Sequence, residues 1–515
     1  MKSLRLFLRI LRVLWRSGLL RLSPRQWVAL GLCAWRCGVS YAALAALAAA
    51  RFGDRVALED EEGTLTFAEL FASAEALAER LREEQALRAG QQAALLSRNG
   101  RAFVVGLLAL SRLGVDLSIL NPESPAAALA QLLARRPVDL LLHDADLAAA
   151  VEGLGTARAP LELPECPRRG PLPRVRRPGH LVLLTSGSTG APKNVRRKPT
   201  LLATLPSAAA LLEALPVRLH MPVLLAIPLF HGYGLGALAM TLAAGSPLQI
   251  VRRPDVGRVL ERLRGEEGVL VTVPTLLNRW LRQSPPRPRL AAIVCGSEPL
   301  PPPLCAQVVE RCGPVLFNFY GSTEAGLMAL ATPAALAEAP GTVGRPAPGA
   351  DVKVAGSDGR AALAGELGRI LVRGPFVLHA GPDGWYDTGD VGRFDAAGRL
   401  FVCGRSDHMF TSGGENVYPE ETEAVLAAHP GLEDAAVTVV PDPDFGRRMV
   451  GWVVPKAGTS FDEEAVRAWL AGRLERFKLP RRVHAVAAIP RNAVGKIDRG
   501  ALQALRADEP DAAAG

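Results

Sequence analysis

The sequence predicts an α/β protein built on largely parallel sheets. Its 515 residues are too many for one ordinary core, so at least two domains are expected. From residue 51 onward, short apolar runs alternate with Ala/Leu-rich segments, the rhythm of buried strands and their covering helices. Hydrophobic content of 49% and charged content of 22% are those of a folded globular chain, which excludes wholesale disorder.

The first element is a helix within residues 1–20. At about 100° per residue, Lys2, Arg5, Arg9, Arg12 and Arg16 fall within about an 80° arc. Leu4, Leu6, Phe7, Leu8, Ile10, Leu11, Val13, Leu14 and Trp15 occupy most of the remainder. Such a helix suits the headgroup layer of an anionic membrane; the alternative is a helix docked on its own protein with its arginines solvated. Residues 27–50 are apolar but interrupted by Arg36, so a spanning helix is not expected. "GTLTFAEL" (63–70) reads as a strand entering a helix. "FVVGLLAL" (103–110), "VDLLLH" (138–143), "LVLLTS" (181–186), "VLLAIPL" (223–229), "VLVTVP" (269–274) and "LAAIVCG" (290–296) read as buried strands, and 126–135 and 255–264 as helices.

Residues 1–50 contain eight basic residues and no acid; removing these from the net charge of +9 leaves +1 for residues 51–515. The nearly neutral body argues against a nucleic-acid partner. The seven cysteines show no CxxC spacing, so neither a disulfide framework nor a zinc site is indicated. A reducing cytoplasm fits, with the basic helix able to hold the protein at the inner face of a membrane.

The strongest chemical signal is "LLTSGSTGAPKNV" (183–195). An apolar strand leads into a loop whose Gly187 and Gly190 let backbone N–H groups approach an anion. Thr185, Ser186, Ser188 and Thr189 add hydroxyl donors, and Lys193 adds charge. The spacing is not that of a Walker loop.

This segment resembles the phosphate loop of the adenylate-forming superfamily, which comprises acyl-CoA synthetases, peptide-synthetase adenylation domains and firefly luciferase. The family's other motifs follow in order over roughly residues 50–505. "PLFHGYGL" (228–235) resembles the border of the acyl pocket, with His231 as a shaping group and not a base; a histidine satisfied by local hydrogen bonds is the alternative. "CGSEPL" (295–300) resembles the adenine-flanking turn, with Gly296 and Ser297. "NFYGSTEAG" (318–326) resembles the segment with an adenine-stacking Tyr320, a nucleotide-contacting Thr323 and a magnesium-linked Glu324. "GELGRILVRGP" (365–375) resembles a strand pair near the end of the large domain. "YDTGD" (386–390) supplies Asp390, an acceptor for ribose hydroxyls, and "GRSDHMFTSGGENVYPEETE" (404–423) supplies Arg405, which reaches the same ribose.

The resemblance implies a large AMP-binding domain (51–406) after an N-terminal extension (1–50), and a small mobile α+β C-terminal domain (407–515). It implies ATP, Mg2+ and coenzyme A as cofactors and co-substrate, with magnesium held by Glu324 and Thr185. Lys496, in "NAVGKIDRG" (492–500), bridges the two anions that meet when a carboxylate attacks the α-phosphate. Gly413, Gly414, Glu415 and Asn416 resemble the loop that lines a pantetheine tunnel, and Asp407 resembles the family's hinge. Two positions depart from the pattern: Asn194, where glycine is usual, and Glu298, where a small residue is usual. The expected reaction is ATP-dependent ligation of CoA to a carboxylic acid. The basic helix favours a medium- or long-chain fatty acid; an aryl or other carboxylate, or transfer to a carrier protein, is the alternative. Retention of Lys496, Glu324 and Asp390 argues against a non-catalytic binding protein.

Overall fold

The structure is a computed structural model. It describes residues 2–163, 172–185, 193–197, 201–263, 265–283, 286–356, 358–412, 415–442, 445–491 and 497–507. The large N-terminal body holds two parallel-rich sheets. One has nine strands in the order Arg345–Pro346, Gly326–Ala331, Leu316–Ser322, Leu290–Gly296, Gly268–Thr272, Val223–Leu225, Leu248–Ile250, Val56–Asp60, Gly63–Thr66. Its strands from Leu316–Ser322 to Val56–Asp60 are all parallel. The other runs Arg158–Pro160, Leu140–His143, Gln92–Leu96, Asp116–Leu120, Leu181–Thr185, Lys193–Arg197, parallel except for the last pair. Asp116–Leu120 and Gly268–Thr272 are buried along their whole lengths, as strands covered on both faces must be.

Helices Phe67–Glu84 and Arg101–Leu113 share one apolar core with residues of both sheets. The first begins at a capping box: Glu69 N donates to Thr66 Oγ1 (3.2 Å) and Thr66 N to Glu69 Oε2 (2.8 Å). The second corrects the sequence expectation, because "FVVGLLAL" is helical. Phe103–Leu110 are buried on every side, so the run carries no 3.6-residue period and imitates a buried strand. The strand Val223–Leu225 and the helix Val256–Leu260 are shorter than the runs at 223–229 and 255–264.

A four-stranded antiparallel sheet follows, Asp351–Ala355, Gly368–Arg373, Tyr386–Phe394, Leu400–Arg405. The smaller C-terminal domain packs strands Leu432–Asp442, Gly446–Pro455 and Arg482–Ala485 with helices Pro419–Ala427, Glu463–Ala471 and Arg499–Ala507. Its buried Trp452 donates the indole N–H to Thr438 Oγ1 at 2.8 Å, so the one polar atom of that ring is satisfied.

The amino terminus forms three helices, Lys2–Arg16, Pro24–Cys37 and Tyr41–Phe52. The third enters the main core through Ala45 and Ala48. Among the described residues no helix is long and apolar enough to cross a membrane. Arg36, which interrupts the apolar run, faces the buried Glu75 at 3.7 Å. The cysteines Cys33, Cys37, Cys295, Cys305, Cys312 and Cys403 are free thiols.

Candidate functional site

The antiparallel ladder between the consecutive strands Tyr386–Phe394 and Leu400–Arg405 sets Asp390 directly opposite Arg405. Arg405 Nη1 donates to Asp390 Oδ1 (3.1 Å) and to the Thr388 carbonyl (3.0 Å). The Tyr320 hydroxyl donates to Asp390 Oδ2 at 2.5 Å. Burial pushes the Asp390 carboxyl above its usual range, opposed by the Tyr320 hydrogen bond and then by Arg405. Burial also works against the Arg405 charge, but Asp407 and Asp390 more than offset it and hold the guanidinium above its ordinary value. Each Asp390 oxygen keeps acceptor capacity after these bonds, which suits a pair of hydroxyls.

Sequence reading missed two supports of this cluster. Thr388 Oγ1 donates to the Ile370 carbonyl (2.9 Å) and accepts from Asp390 N (3.1 Å). Gly389 sits at φ 74°, and a Cβ there would lie 2.8 Å from Arg405 Nη2. Only glycine lets the guanidinium lie flat against the backbone. The TGD tripeptide carried that signal, since a glycine beside a functional aspartate marks close approach.

A second group lies at the ends of the parallel strands Leu290–Gly296 and Leu316–Ser322. These pair Cys295 with Asn318 and Gly296 with Phe319, and a Cβ on Gly296 would lie 2.8 Å from the Phe319 carbonyl oxygen. Ser297 has φ 68°, an unusual left-handed conformation for a serine, of the kind that clusters at functional turns. Thr323 and Glu324 occupy the turn between Leu316–Ser322 and Gly326–Ala331. The Glu324 carbonyl accepts from Leu378 N at 2.9 Å. The Tyr386 hydroxyl is pushed up to about 12, by burial first and then by Glu324 nearby, so Glu324 adjoins the Asp390 strand. Glu298 Oε2 accepts from Thr275 N (3.0 Å) and Oγ1 (2.7 Å) at the start of helix Pro274–Leu281. A carboxylate there satisfies a helix N-terminus.

The third group is the segment 228–235. Buried Asn99, also missed from sequence, clamps its approach: Nδ2 donates to the Ile227 carbonyl (2.9 Å) and Oδ1 accepts from Leu229 N (2.8 Å). His231 is the N-cap residue of helix Gly232–Ala244, and its ring packs on Phe230 with centroids 4.4 Å apart. A Cβ on Gly232 would meet Leu183 Cδ1 at 3.3 Å and Thr323 Oγ1 at 3.9 Å. Leu183 belongs to Leu181–Thr185, so the strand entering the predicted phosphate loop, the predicted acyl segment and the Thr323–Glu324 turn converge at one place. The Tyr233 hydroxyl donates to the Val294 carbonyl at 2.9 Å, joining the helix to the strand that ends at Gly296.

Ser186, Gly187, Ser188, Thr189, Gly190, Gly413, Gly414 and Lys496 lie outside the described residues, as do the side chains of Thr185, Lys193, Glu415 and Asn416. The flanking backbone is informative. Thr185 pairs with Lys193 across an antiparallel ladder, and Asn194 pairs with Leu184. Residue 194 therefore lies in the strand Lys193–Arg197. Ser412 pairs with Glu415 in a short antiparallel ladder, and Arg491 with Ile497 in an isolated antiparallel bridge.

On either side of Asp407 the chain is anchored differently. Ser406 N and Oγ donate to the Gly389 carbonyl at 2.8 and 2.9 Å, and His408 Nδ1 meets Glu420 Oε1 at 2.5 Å. Asp407 itself accepts from Arg405 Nε at 3.0 Å. Among the described residues no group of three or more His, Cys, Asp or Glu side chains is placed to hold a metal. Magnesium bound through one carboxylate and ATP phosphates needs no such cage, and Glu324 fits that demand.

Comparison with known proteins places this arrangement. The AMP-binding enzyme model matches residues 46–380, and the AMP-binding enzyme C-terminal domain model matches residues 421–496. The 2-succinylbenzoate–CoA ligase of Geobacillus kaustophilus is 33% identical over 479 residues, covering 88% of this chain and 95% of that protein. A feruloyl-CoA synthase from an Amycolatopsis species is 33% identical, covering 85% and 93%. The structure of o-succinylbenzoate CoA synthetase from Bacillus subtilis with its acyl-adenylate intermediate superposes with TM-score 0.78 at 28% identity, covering 89% of this chain and 97% of that one. The same enzyme is known with ATP and magnesium ion. The chain belongs to the AMP-binding enzyme family, the adenylate-forming superfamily whose CoA ligases work with ATP, Mg2+ and coenzyme A.

Proposed function

We propose that the protein is an ATP-dependent CoA ligase that activates an aryl carboxylate as its acyl-adenylate. The observation that carries this is the Asp390–Arg405–Tyr320 cluster, joined through the 318–326 segment to the convergence of Leu183, Gly232 and Thr323. A nucleotide ribose is held on Asp390 and Arg405, and a carboxylate is presented beside the phosphate loop. The substrate carboxylate oxygen bonds to the α-phosphorus as the bond to pyrophosphate breaks. The CoA sulfur then bonds to the acyl carbon, AMP leaves, and the thiol proton passes to solvent. Lys496, Lys193 and the hydroxyls and amides of residues 185–190 stabilise charge in the first step. Glu324 with Thr185 would hold a magnesium ion, which would supply neutralisation of phosphate charge. Gly413, Gly414, Glu415 and Asn416 pass the pantetheine arm.

The relatives favour an aryl acid over the fatty acid expected from the basic helix. The names 2-succinylbenzoate and feruloyl both denote aromatic carboxylates. The test is thioester formation from a panel of benzoates, cinnamates and straight-chain acids at equal concentration. An aryl acid is expected to give the highest kcat/KM; a straight-chain acid at the top would restore the fatty-acid reading.

The geometry also gives a mutational expectation. Gly389→Ala adds backbone strain and pushes Arg405 from Asp390. It is expected to raise KM for ATP by roughly tenfold, the loss of about one charge-assisted hydrogen bond, with little change in KM for CoA. Equal rises in both would deny Arg405 a specific role at the nucleotide.

A further inference from the structure

The amino-terminal helices carry a surface that the proposed reaction does not use. On helix Lys2–Arg16, Ile10 and Val13 turn inward, with Leu6 and Leu14 beside them, onto Leu205, Ala209 and Leu212. The helix thus docks on its own protein, but with only one of three faces. Phe7, Leu8, Leu11 and Trp15 form a second, apolar face and are 38–58% exposed. Arg9, Arg12 and Arg16 form the third, next to it, and are exposed as well. On helix Pro24–Cys37, Cys37 is buried while Trp27, Val28, Leu32 and Trp35 stand out along one side. Of the fourteen large apolar side chains exposed among the described residues, eight lie between Phe7 and Trp35. Such a concentration marks an interaction surface.

Charge selects its occupant. Residues 1–50 hold no acid, and among the described residues Arg12, Arg16 and Arg25 have no ion-pair partner. The neighbouring Arg174 adds a guanidinium 4.6 Å from the Trp35 ring centroid. A second copy would set these cations against the same cations, since a two-fold contact buries like against like. A bilayer with anionic headgroups offers both the opposite charge and an apolar layer beneath it. Tryptophan and arginine side by side suit that boundary. We propose that Lys2–Arg16 and Pro24–Cys37 together dock the protein on an anionic membrane, lying in the interface plane. The surface is larger than the first twenty residues, because the second helix supplies half of its apolar side chains.

The test mixes full-length protein with vesicles of phosphatidylcholine and phosphatidylglycerol in equal parts, and with phosphatidylcholine alone, and reads the bound fraction by flotation. Binding to the anionic vesicles is expected, weakening as salt shortens the screening length. The triple variant Trp15→Ser, Trp27→Ser, Trp35→Ser is expected to lose at least ~tenfold in partitioning. Arg12→Gln and Arg16→Gln are each expected to lose about fivefold with unchanged thermal melting, so the arginine pair decides the matter if the tryptophan variant fails to fold. No preference for anionic vesicles, or binding unaffected by the arginine substitutions, would overturn the proposal. So would a lipid-free dimer that the tryptophan variant converts to monomer, because a second copy would then cover the surface.

Discussion

Lys496→Ala is expected to slow acyl-adenylate formation by on the order of a hundredfold to a thousandfold, the range for removing a charge aimed at a developing anion, while transfer to CoA from supplied acyl-adenylate stays within about threefold. Only the first half-reaction brings the carboxylate and the α-phosphate together, so only that step needs a cation between them. Arg491 and Ile497, the described residues on either side of the segment that contains Lys496, pair in an antiparallel bridge. Single-turnover measurement of each half-reaction checks this, and an equal loss in both would remove Lys496 from the role proposed for it.

Asp407→Pro carries the other large expected effect. The proposed site must exclude water around ATP and then admit CoA, and we propose that rotation of the small domain would serve both needs, because Lys496 and residues 413–416 all lie beyond Asp407 in the sequence. The anchoring supports a pivot there: Ser406 is tied to Gly389 of the large domain, and His408 to Glu420 of the small one. Arg282 of the large domain also contacts Glu433 of the small domain, a pair that the proposed rotation would part. Proline fixes φ near −65° and removes the N–H. Thioester formation is expected to fall by on the order of a hundredfold, with adenylation changed only a few-fold. Asp407→Ala removes the carboxylate that accepts from Arg405 but leaves the torsion free, so it is expected to keep most of the second step. Pre-steady-state appearance of acyl-adenylate and its consumption by CoA separates the two. If the second step survives proline, the pivot is elsewhere.

The strongest sequence signals were those whose chemistry is local. A strand, a Gly/Ser/Thr loop and a lysine stand within thirteen residues at 183–195, and the strand ends do pair as Thr185 with Lys193. Features that depend on distant partners were not legible. Asn99 looks like any loop asparagine until Ile227 and Leu229 arrive beside it. Glu298 could not be interpreted without Thr275. Phe103–Leu110 were misread because burial on every side erases periodicity. Their true length was readable from Gly100 and Gly114, which flank a run too long for an ordinary strand. The basic amphipathic helix biased the substrate expectation toward lipids, although a membrane-facing helix and an acyl pocket are independent features of the chain.

The most direct test of the account is acid-dependent exchange of labelled pyrophosphate into ATP in the absence of CoA. An enzyme that forms an acyl-adenylate before the thiol engages must catalyse this exchange when the right carboxylate is present. Exchange is expected with an aryl carboxylate and magnesium, slowed by on the order of a hundredfold to a thousandfold by Lys496→Ala and retained by Asp407→Pro. Exchange that requires CoA, or thioester formation from ATP with no exchange for any carboxylate that yields thioester, would contradict it.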